Sequence, residues 1–117
     1  MRVLIVNSDD AGSQLAQAIL AEADIAAFQA KDAKTAFAAC LAMQPDLVLI
    51  EPRHLGCDVK GLICCLRDLR PEAVIAVFVS ASKSSTALIA QAPDCVATSY
   101  QPRELLALCR TTVNTTD

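Results

Sequence analysis

Short continuous apolar runs alternate along this chain with segments whose apolar residues recur at helical spacing. A continuous apolar run bounded by polar residues is typical of a strand buried on both faces of a parallel sheet. The pattern predicts five strands, at Val3–Val6, Ile25–Ala30, Leu47–Ile50, Ala73–Val79 and Cys95–Ala97. It also predicts five helices. The first follows Asn7–Asp10, the second begins at Asp32 and the third ends at Pro71. The fourth covers about Lys83–Ala92, and the fifth begins near Pro102.

Capping and helix-breaking residues bound several of these helices. Asp32 is a typical N-cap for the second helix, and Pro45 stops it. Pro102 suits the first turn of the last helix, where a missing N–H costs nothing. The residues expected to face the core follow helical spacing. They are Leu15, Ala18 and Ile19 on the first helix, and Ala33, Ala36, Phe37, Cys40 and Leu41 on the second. On the third they are Leu62, Cys65, Leu66 and Leu69, and on the fifth Leu105, Leu106, Cys109 and Val113.

The fivefold alternation of strand and helix predicts a doubly wound α/β fold. Right-handed crossovers then build one five-stranded parallel sheet, in the order 2-1-3-4-5, covered by five helices. Ligands of such sheets bind at the carboxyl ends of the strands, where the strand order reverses. We therefore expect Asn7–Asp9, Glu51 and Ser80, which end the first, third and fourth strands, to converge on one pocket.

Composition is consistent with a single globular domain. The chain has 117 residues, of which 54% are hydrophobic, so it can bury a sizeable core. We predict one domain over residues 1–113 and a polar tail over 114–117. A net charge of −3 argues against nucleic-acid binding by this domain alone. No apolar stretch approaches a membrane span, and the apolar start is too short for a secretion signal, so we expect a cytoplasmic protein.

Six cysteines are unusual for this length, but their spacing indicates neither a disulfide framework nor a zinc site. The chain has no Cys-x-x-Cys pair and only one histidine. We expect reduced cysteines that are mostly buried, since free cysteine behaves as a small hydrophobe. Adjacent helix residues point about 100° apart, which works against a Cys64–Cys65 disulfide. The six are Cys40, Cys57, Cys64, Cys65, Cys95 and Cys109.

Four segments, in their order and spacing, carry a resemblance to a known family. They are VLIV followed by polar residues, PDLVLIE followed by Gly56 and Asp58, VFVSA, and RELLALCR in the last helix. Along its whole length the chain resembles a response-regulator receiver domain, the CheY-like phosphoacceptor module of two-component signalling, which has the flavodoxin-like form of the fold. Receivers catalyse their own phosphorylation with an acidic pair that binds magnesium, an acceptor aspartate, a hydroxyl residue and a lysine.

The resemblance implies that the acidic part of this site is altered. The acidic pair falls on Asn7 and Ser8, neither of which is a carboxylate, with Asp9 next to them at the rim. The phosphoacceptor position is Glu51, one methylene longer than aspartate. Asn7, Ser8 and Glu51 offer one charge where the family offers three, so we expect magnesium binding to be lost and no cofactor to be needed.

The resemblance also assigns the remaining positions of the site. Ser80 keeps the hydroxyl, whereas Thr98 stands at the lysine position, so no fixed cation faces a phosphoryl group. Tyr100 matches the aromatic switch position. These changes imply a degenerate receiver, or pseudo-receiver, with no catalytic residues.

Several roles for Glu51 and its neighbours are open at this point. Glu51 could imitate a phosphorylated aspartate, act as a weak acceptor, or be a structural carboxylate bonded to Ser80 or to local amides. Arg53 could neutralise it, and His54 could sense pH. If Glu51 reaches Ser80, we expect Tyr100 to turn inward and the domain to be locked in one state; otherwise Tyr100 should point outward.

We expect a phosphorylation-independent signalling or protein-interaction module that is not an enzyme. It would bind a protein partner, or itself, through the fourth helix, the fifth strand and the fifth helix, which is the surface implied by the resemblance, with no membrane or nucleic-acid partner. One alternative is a working receiver in a phosphorelay with a non-standard acceptor. Another is a small flavodoxin-like enzyme or nucleotide binder, which is disfavoured because no Gly-rich loop follows the first strand, where Gly12 is the only glycine.

Overall fold

The computed structural model describes residues 1–52, 55, 58–78 and 96–116, with side chains in the last segment described as far as Thr112. Its strands are β1 (Arg2–Val6), β2 (Ala26–Ala30), β3 (Leu47–Ile50), β4 (Val74–Phe78) and β5 (Val96–Thr98). The helices within these residues are α1 (Asp10–Ala21), α2 (Ala33–Met43), α3 (Val59–Leu69) and α4 (Pro102–Thr116).

The five strands form one parallel sheet in the order β2-β1-β3-β4-β5. This confirms the predicted fold class and strand order. The three central strands carry the continuous apolar runs, because helices cover both of their faces. Val6 lies beside Ile50, and Ile50 lies beside Val77, so the carboxyl ends of β1, β3 and β4 meet at one edge.

The core has two layers, one on each face of the sheet. Residues of α2 and α3 pack with Leu4, Val6 and Ile50 on one face. Residues of α1 and α4 pack with Ile5, Leu49 and other residues on the opposite face. Both core layers therefore pack against the sheet. Packing on both faces holds the central strands in place, and with them the edge where the site lies.

The predicted inward faces of the helices are partly wrong. Leu15, Leu41 and Leu69 are 51%, 63% and 41% exposed, and Cys65 is exposed as well. The face of α1 that packs inward is instead Ser13, Ala16, Ile19 and Leu20. For α1 and α2 the reason is their high alanine content, because alanine marks neither a buried nor an exposed face, and the larger side chains therefore gave a false orientation.

Helix ends follow the predicted signals. The Asp32 carboxylate accepts hydrogen bonds from the Thr35 amide at 2.8 Å and the Thr35 hydroxyl at 2.7 Å, which confirms the N-cap of α2. The same helix ends at Met43, and its C-cap is Gln44, which has a left-handed φ of 48° and directly precedes Pro45. The helical backbone of α4 continues to Thr116, beyond the expected domain end at residue 113; the domain boundary itself stays a prediction.

The end strand β5 lies one residue later than predicted, at Val96–Thr98. Among the described residues, no helix is both long and apolar enough to cross a bilayer. Several sequence predictions concern residues that the structure does not describe. They are the fourth helix at 83–92, Ser80, Arg53, His54, Cys57 and Cys95.

The described cysteines do not all follow the prediction of burial. Cys40 and Cys109 are buried in opposite core layers, and burial raises the pKa of each thiol. Cys64 and Cys65 are both exposed on α3, so the expectation of burial is wrong for this pair. On α3 the inward residues are Leu62, Ile63 and Leu66, which leaves positions 64 and 65 on the solvent side.

Candidate functional site

The candidate site lies where β1 and β3 end side by side, at the point where the strand order reverses. The Glu51 amide donates to the Val6 carbonyl at 2.9 Å, which extends the pairing of these strands by one residue. Asn7 and Glu51 are 1% and 6% exposed. The register therefore brings together two buried polar side chains that are 44 positions apart in the chain, as the predicted topology required.

Tyr100 joins these two side chains. Its hydroxyl donates to Glu51 Oε2 at 3.0 Å and accepts from Asn7 Nδ2 at 3.1 Å. Its ring lies flat against Phe78 of β4, with centroids 4.0 Å apart and planes 2° apart. We call Asn7, Glu51 and Tyr100 the Glu51 triad; it connects the ends of β1 and β3 to the segment after β5.

The triad is a contact that sequence reasoning missed. Ser80 and local amides were the partners that we considered for a structural Glu51, with Tyr100 turned inward if Glu51 reached Ser80. Ser80 lies outside the described residues. In the structure, the Tyr100 hydroxyl donates a hydrogen bond to Glu51. Tyr100 is turned toward the site, but its role as a switch stays a prediction. The available signal was the topology, since Tyr100 follows a strand at the same edge of the sheet.

Asn7 is held on both ends of its amide group. Its Oδ1 accepts from the Asp9 amide at 2.9 Å, while its Nδ2 donates to Tyr100. The backbone carbonyl of Asn7 also accepts from Gln29 Nε2 at 3.1 Å. These contacts fix the turn from β1 into α1, so Asn7 has a structural role at the position where the family has an acid.

Asp9 caps α1. Its Oδ1 accepts from the Ala11 amide at 3.3 Å and its Oδ2 from the Gly12 amide at 3.2 Å. Such a cap satisfies amides that a helix N-terminus leaves without partners. Asp9 therefore lies at the rim, where we expected it, with both carboxylate oxygens directed at the helix rather than toward Glu51.

Gly12 allows the triad and α1 to approach closely. A Cβ atom at this position would lie 2.8 Å from Asn7 Nδ2 and 3.4 Å from the Tyr100 hydroxyl. The first distance is shorter than side chains tolerate. The glycine that follows the first strand is thus explained by packing of the site rather than by phosphate binding.

Thr98, at the lysine position of the resemblance, is 4% exposed. Within the described part of the chain, its Oγ1 has no hydrogen-bond partner. A buried hydroxyl of this kind supplies no charge to Glu51. The described site therefore contains two carboxylates, Glu51 and Asp9. Glu51 accepts from the Tyr100 hydroxyl and Asp9 accepts from two backbone amides of α1, all of which are neutral donors.

An open cleft of about 530 Å³ lies above the triad. The side chains around it are mixed in character, and exposed Leu15 forms an apolar part of its wall. Its described lining consists of Asn7, Ser8, Asp9, Gly12, Leu15, Glu51 and Tyr100. The described residues include no group of three or more His, Cys, Asp or Glu side chains placed to hold a metal ion.

Neighbouring charges tie β2 to α1 beside the site. Lys31 Nζ lies 3.0 Å from Asp10 Oδ1, and Gln29 Nε2 donates to the same oxygen at 3.1 Å. The hydrogen bonds from Lys31 and Gln29 lower the pKa of Asp10. Lys31 and Asp10 are exposed, so their ion pair contributes little to stability.

The chain is similar to known proteins in structure but not in sequence. No protein-family model matches the chain, and no curated protein matches it. Solved structures do match. They include a CheY-like receiver domain protein from Methanospirillum hungatei, with 20% identity, coverage of 97% of this chain and 94% of that chain, and a TM-score of 0.80.

Two further matches have similar extent. A two-component response regulator from Clostridium difficile has 16% identity, coverage of 97% and 96%, and a TM-score of 0.83. A response regulator from Thermotoga maritima has 17% identity, coverage of 97% of each chain and a TM-score of 0.80. At these identities the likeness concerns the path of the backbone. The chain therefore has the fold of response-regulator receiver domains.

Proposed function

We propose that this chain is a signalling domain that works without phosphorylation of its acceptor position and acts by binding a protein partner or a second copy of itself. In this proposal it is a pseudo-receiver and not an enzyme. The observation that carries it is the hydrogen bond from the Tyr100 hydroxyl to Glu51 Oε2.

The Tyr100 contact opposes phosphoryl transfer at Glu51. An acceptor carboxylate must present an oxygen to the incoming phosphoryl group, and the group must be held in line by cations. Here Oε2 of Glu51 is already engaged by a phenol, and the side chain is 6% exposed. Attack through Oε2 would require the triad to open, which costs a charge-assisted hydrogen bond of roughly 1.5–3 kcal/mol.

The oxygens around the site also argue against a resident magnesium ion. Magnesium requires a near-octahedral shell of oxygen ligands and dehydrates reluctantly. The side-chain oxygen of Asn7 accepts from the Asp9 amide, and both oxygens of Asp9 accept from amides of α1. A magnesium ion would have to share these oxygens with the amides that already orient them, with Glu51 and Asp9 as the carboxylates nearby, so the proposal includes loss of magnesium binding.

We place the interaction surface on β5 and on α4, which is the fifth helix of the sequence prediction. The surface also includes the helix predicted at about 83–92, which lies outside the described residues. Val96 on β5 is 41% exposed, although it is a large apolar side chain on an end strand. A groove of about 590 Å³ runs between β5 and α4. Its lining is mostly apolar and small and consists of Val74, Val96, Ala97, Thr98, Glu104, Ala107, Leu108, Thr111 and Thr112.

The test compares two exposed apolar residues on different surfaces. V96E places a charge on β5, and L41E makes the same change on α2, where Leu41 is 63% exposed. Sedimentation velocity measures self-association, and affinity capture with the purified chain as bait measures partner binding. We expect V96E to weaken whichever interaction the wild type shows, and L41E to leave it unchanged.

The same measurements are repeated with acetyl phosphate and magnesium. We expect no change, because binding does not depend on a phosphorylated state. A gain in association on addition of acetyl phosphate would favour the working-receiver alternative. A wild-type chain that neither self-associates nor captures a protein in a Val96-dependent way would contradict the interaction role.

A further inference from the structure

The outer face of α3 carries two adjacent exposed thiols, Cys64 and Cys65. The helix is anchored through Leu62, Ile63 and Leu66, which are 4%, 1% and 1% exposed. A covalent addition at position 64 or 65 would therefore extend into solvent and leave the core contacts in place. The pair lies on a different element from the Glu51 triad.

The two thiols are unable to pair readily with each other. Adjacent helix residues project about 100° apart around the axis. A disulfide needs Cβ atoms roughly 3.5–4.5 Å apart with their bonds directed toward one another. Closing one would distort α3, so oxidation of either thiol favours a sulfur from elsewhere.

The other described thiols are poor partners. Cys40 and Cys109 are each 2% exposed, and they lie in opposite core layers. Burial also raises the pKa of both, which lowers the fraction present as reactive thiolate. A soft metal ion is a weaker assignment for the pair, because the described residues place no third ligand in a cluster with it.

We propose that Cys64 and Cys65 form a thiol–disulfide exchange site on α3, at which the chain reacts with an external disulfide to form a mixed disulfide. That disulfide is a low-mass one of the glutathione type, or such an adduct already carried by a second copy of this chain. This modification site is independent of the function proposed for the Glu51 triad.

The exchange step is balanced without a further oxidant. The thiolate of Cys64 or Cys65 attacks one sulfur of an external disulfide, a new S–S bond forms, the original S–S bond breaks, and the second external sulfur leaves as a thiolate. A neighbouring thiol normally resolves such an adduct by closing an internal disulfide. On α3 that step is opposed by helix geometry, so the mixed disulfide persists until an external reductant removes it.

The test uses the full chain, folded and reduced, with glutathione disulfide at neutral pH, followed by intact-mass analysis and peptide mapping without reductant. We expect adducts on Cys64 and Cys65 to form at least about tenfold faster than on Cys40 and Cys109, because exchange requires access to the sulfur. Dithiothreitol should remove them. The C64S/C65S variant should form no adduct on α3, and in urea its remaining thiols should still react, which controls for the reagent.

Non-reducing size-exclusion chromatography distinguishes the two sources of sulfur. A disulfide-linked dimer that maps to Cys64 or Cys65 identifies a second copy, and a monomeric adduct identifies the low-mass thiol. Three results would overturn the proposal: no adduct on either cysteine of the folded chain, adducts confined to other cysteines, or a disulfide that joins Cys64 or Cys65 to another cysteine of the same chain.

Discussion

The triad predicts that the Tyr100 hydroxyl stabilises the folded domain. Y100F removes the oxygen that joins Asn7 to Glu51 and keeps the ring that stacks on Phe78. The change leaves Asn7 Nδ2 and Glu51 Oε2 each without one partner. Because Asn7 and Glu51 are 1% and 6% exposed, water replaces the lost partner poorly.

The expected cost is about 2 kcal/mol. A hydrogen bond to a charged group contributes roughly 1.5–3 kcal/mol, and a neutral one about 1 kcal/mol. Tyr100 is only half-buried, and Glu51 has at least one further interaction, so the sum of the two bonds is an upper limit. With a urea m-value of about 1–3 kcal/mol per molar, the unfolding midpoint should fall by about 1 M.

Urea unfolding followed by far-ultraviolet circular dichroism measures this change. The chain has one tyrosine and no tryptophan, so intrinsic fluorescence would disappear in the variant. T98V is the matched control, since it also removes a buried hydroxyl, but one without a hydrogen-bond partner among the described residues. We expect T98V to leave the midpoint unchanged or to raise it slightly.

Repeating Y100F in the E51Q variant separates the effect of the Glu51 charge from the effect of the side-chain shape. In E51Q the tyrosine can still donate to a side-chain oxygen, so Y100F should cost less there, about 1 kcal/mol, as for a neutral hydrogen bond. If Y100F unfolds at the wild-type midpoint, or costs no more than T98V, the triad does not stabilise the domain in solution.

Three further predictions concern the same edge of the domain. G12A should destabilise the chain although alanine favours helix by about 0.5–1 kcal/mol, because the new Cβ would lie 2.8 Å from Asn7 Nδ2; a urea midpoint at or above wild type would refute this. Hydrogen bonds from Thr35 lower the pKa of Asp32, so the stabilisation that its carboxylate provides is present at neutral pH and is lost as pH falls through that lowered pKa. The difference in urea midpoint between wild type and D32N should therefore shrink on acidification. A difference that stays constant would contradict this prediction. Magnesium at millimolar concentration should give no saturable NMR shifts at the amides around Glu51, and saturable shifts there would show that the site binds the ion.

The sheet was predictable because short apolar runs alternate along the chain with segments of helical spacing. Runs such as Val3–Val6 and Leu47–Ile50 are apolar at every position and short, which is typical of strands covered on both faces. The strand order then followed from the number of alternating elements, and it placed Asn7 beside Glu51. Burial of the central strands was therefore strongly specified by sequence.

Helix orientation and the triad were less accessible. Successive helix residues point about 100° apart, so the inward face has to be inferred from which positions carry large apolar side chains. Alanine gives little information of this kind, and Leu15 and Leu41 were therefore assigned to the wrong side. The Tyr100–Glu51 contact joins residues 49 positions apart. It depends on how the segment after β5 turns over the end of β4, which is decided by packing on Phe78 rather than by any local pattern.

The most direct test of the central claim is treatment of the purified chain with acetyl phosphate and magnesium, followed by intact-mass analysis. The account predicts no added phosphoryl group on the wild type, because Glu51 is engaged by Tyr100 and the site offers neither a paired acid nor a lysine at Thr98. The variant N7D/S8D/E51D/T98K restores the family's charged groups and serves as the positive control. A phosphoryl group that maps to Glu51 of the wild type would contradict the account.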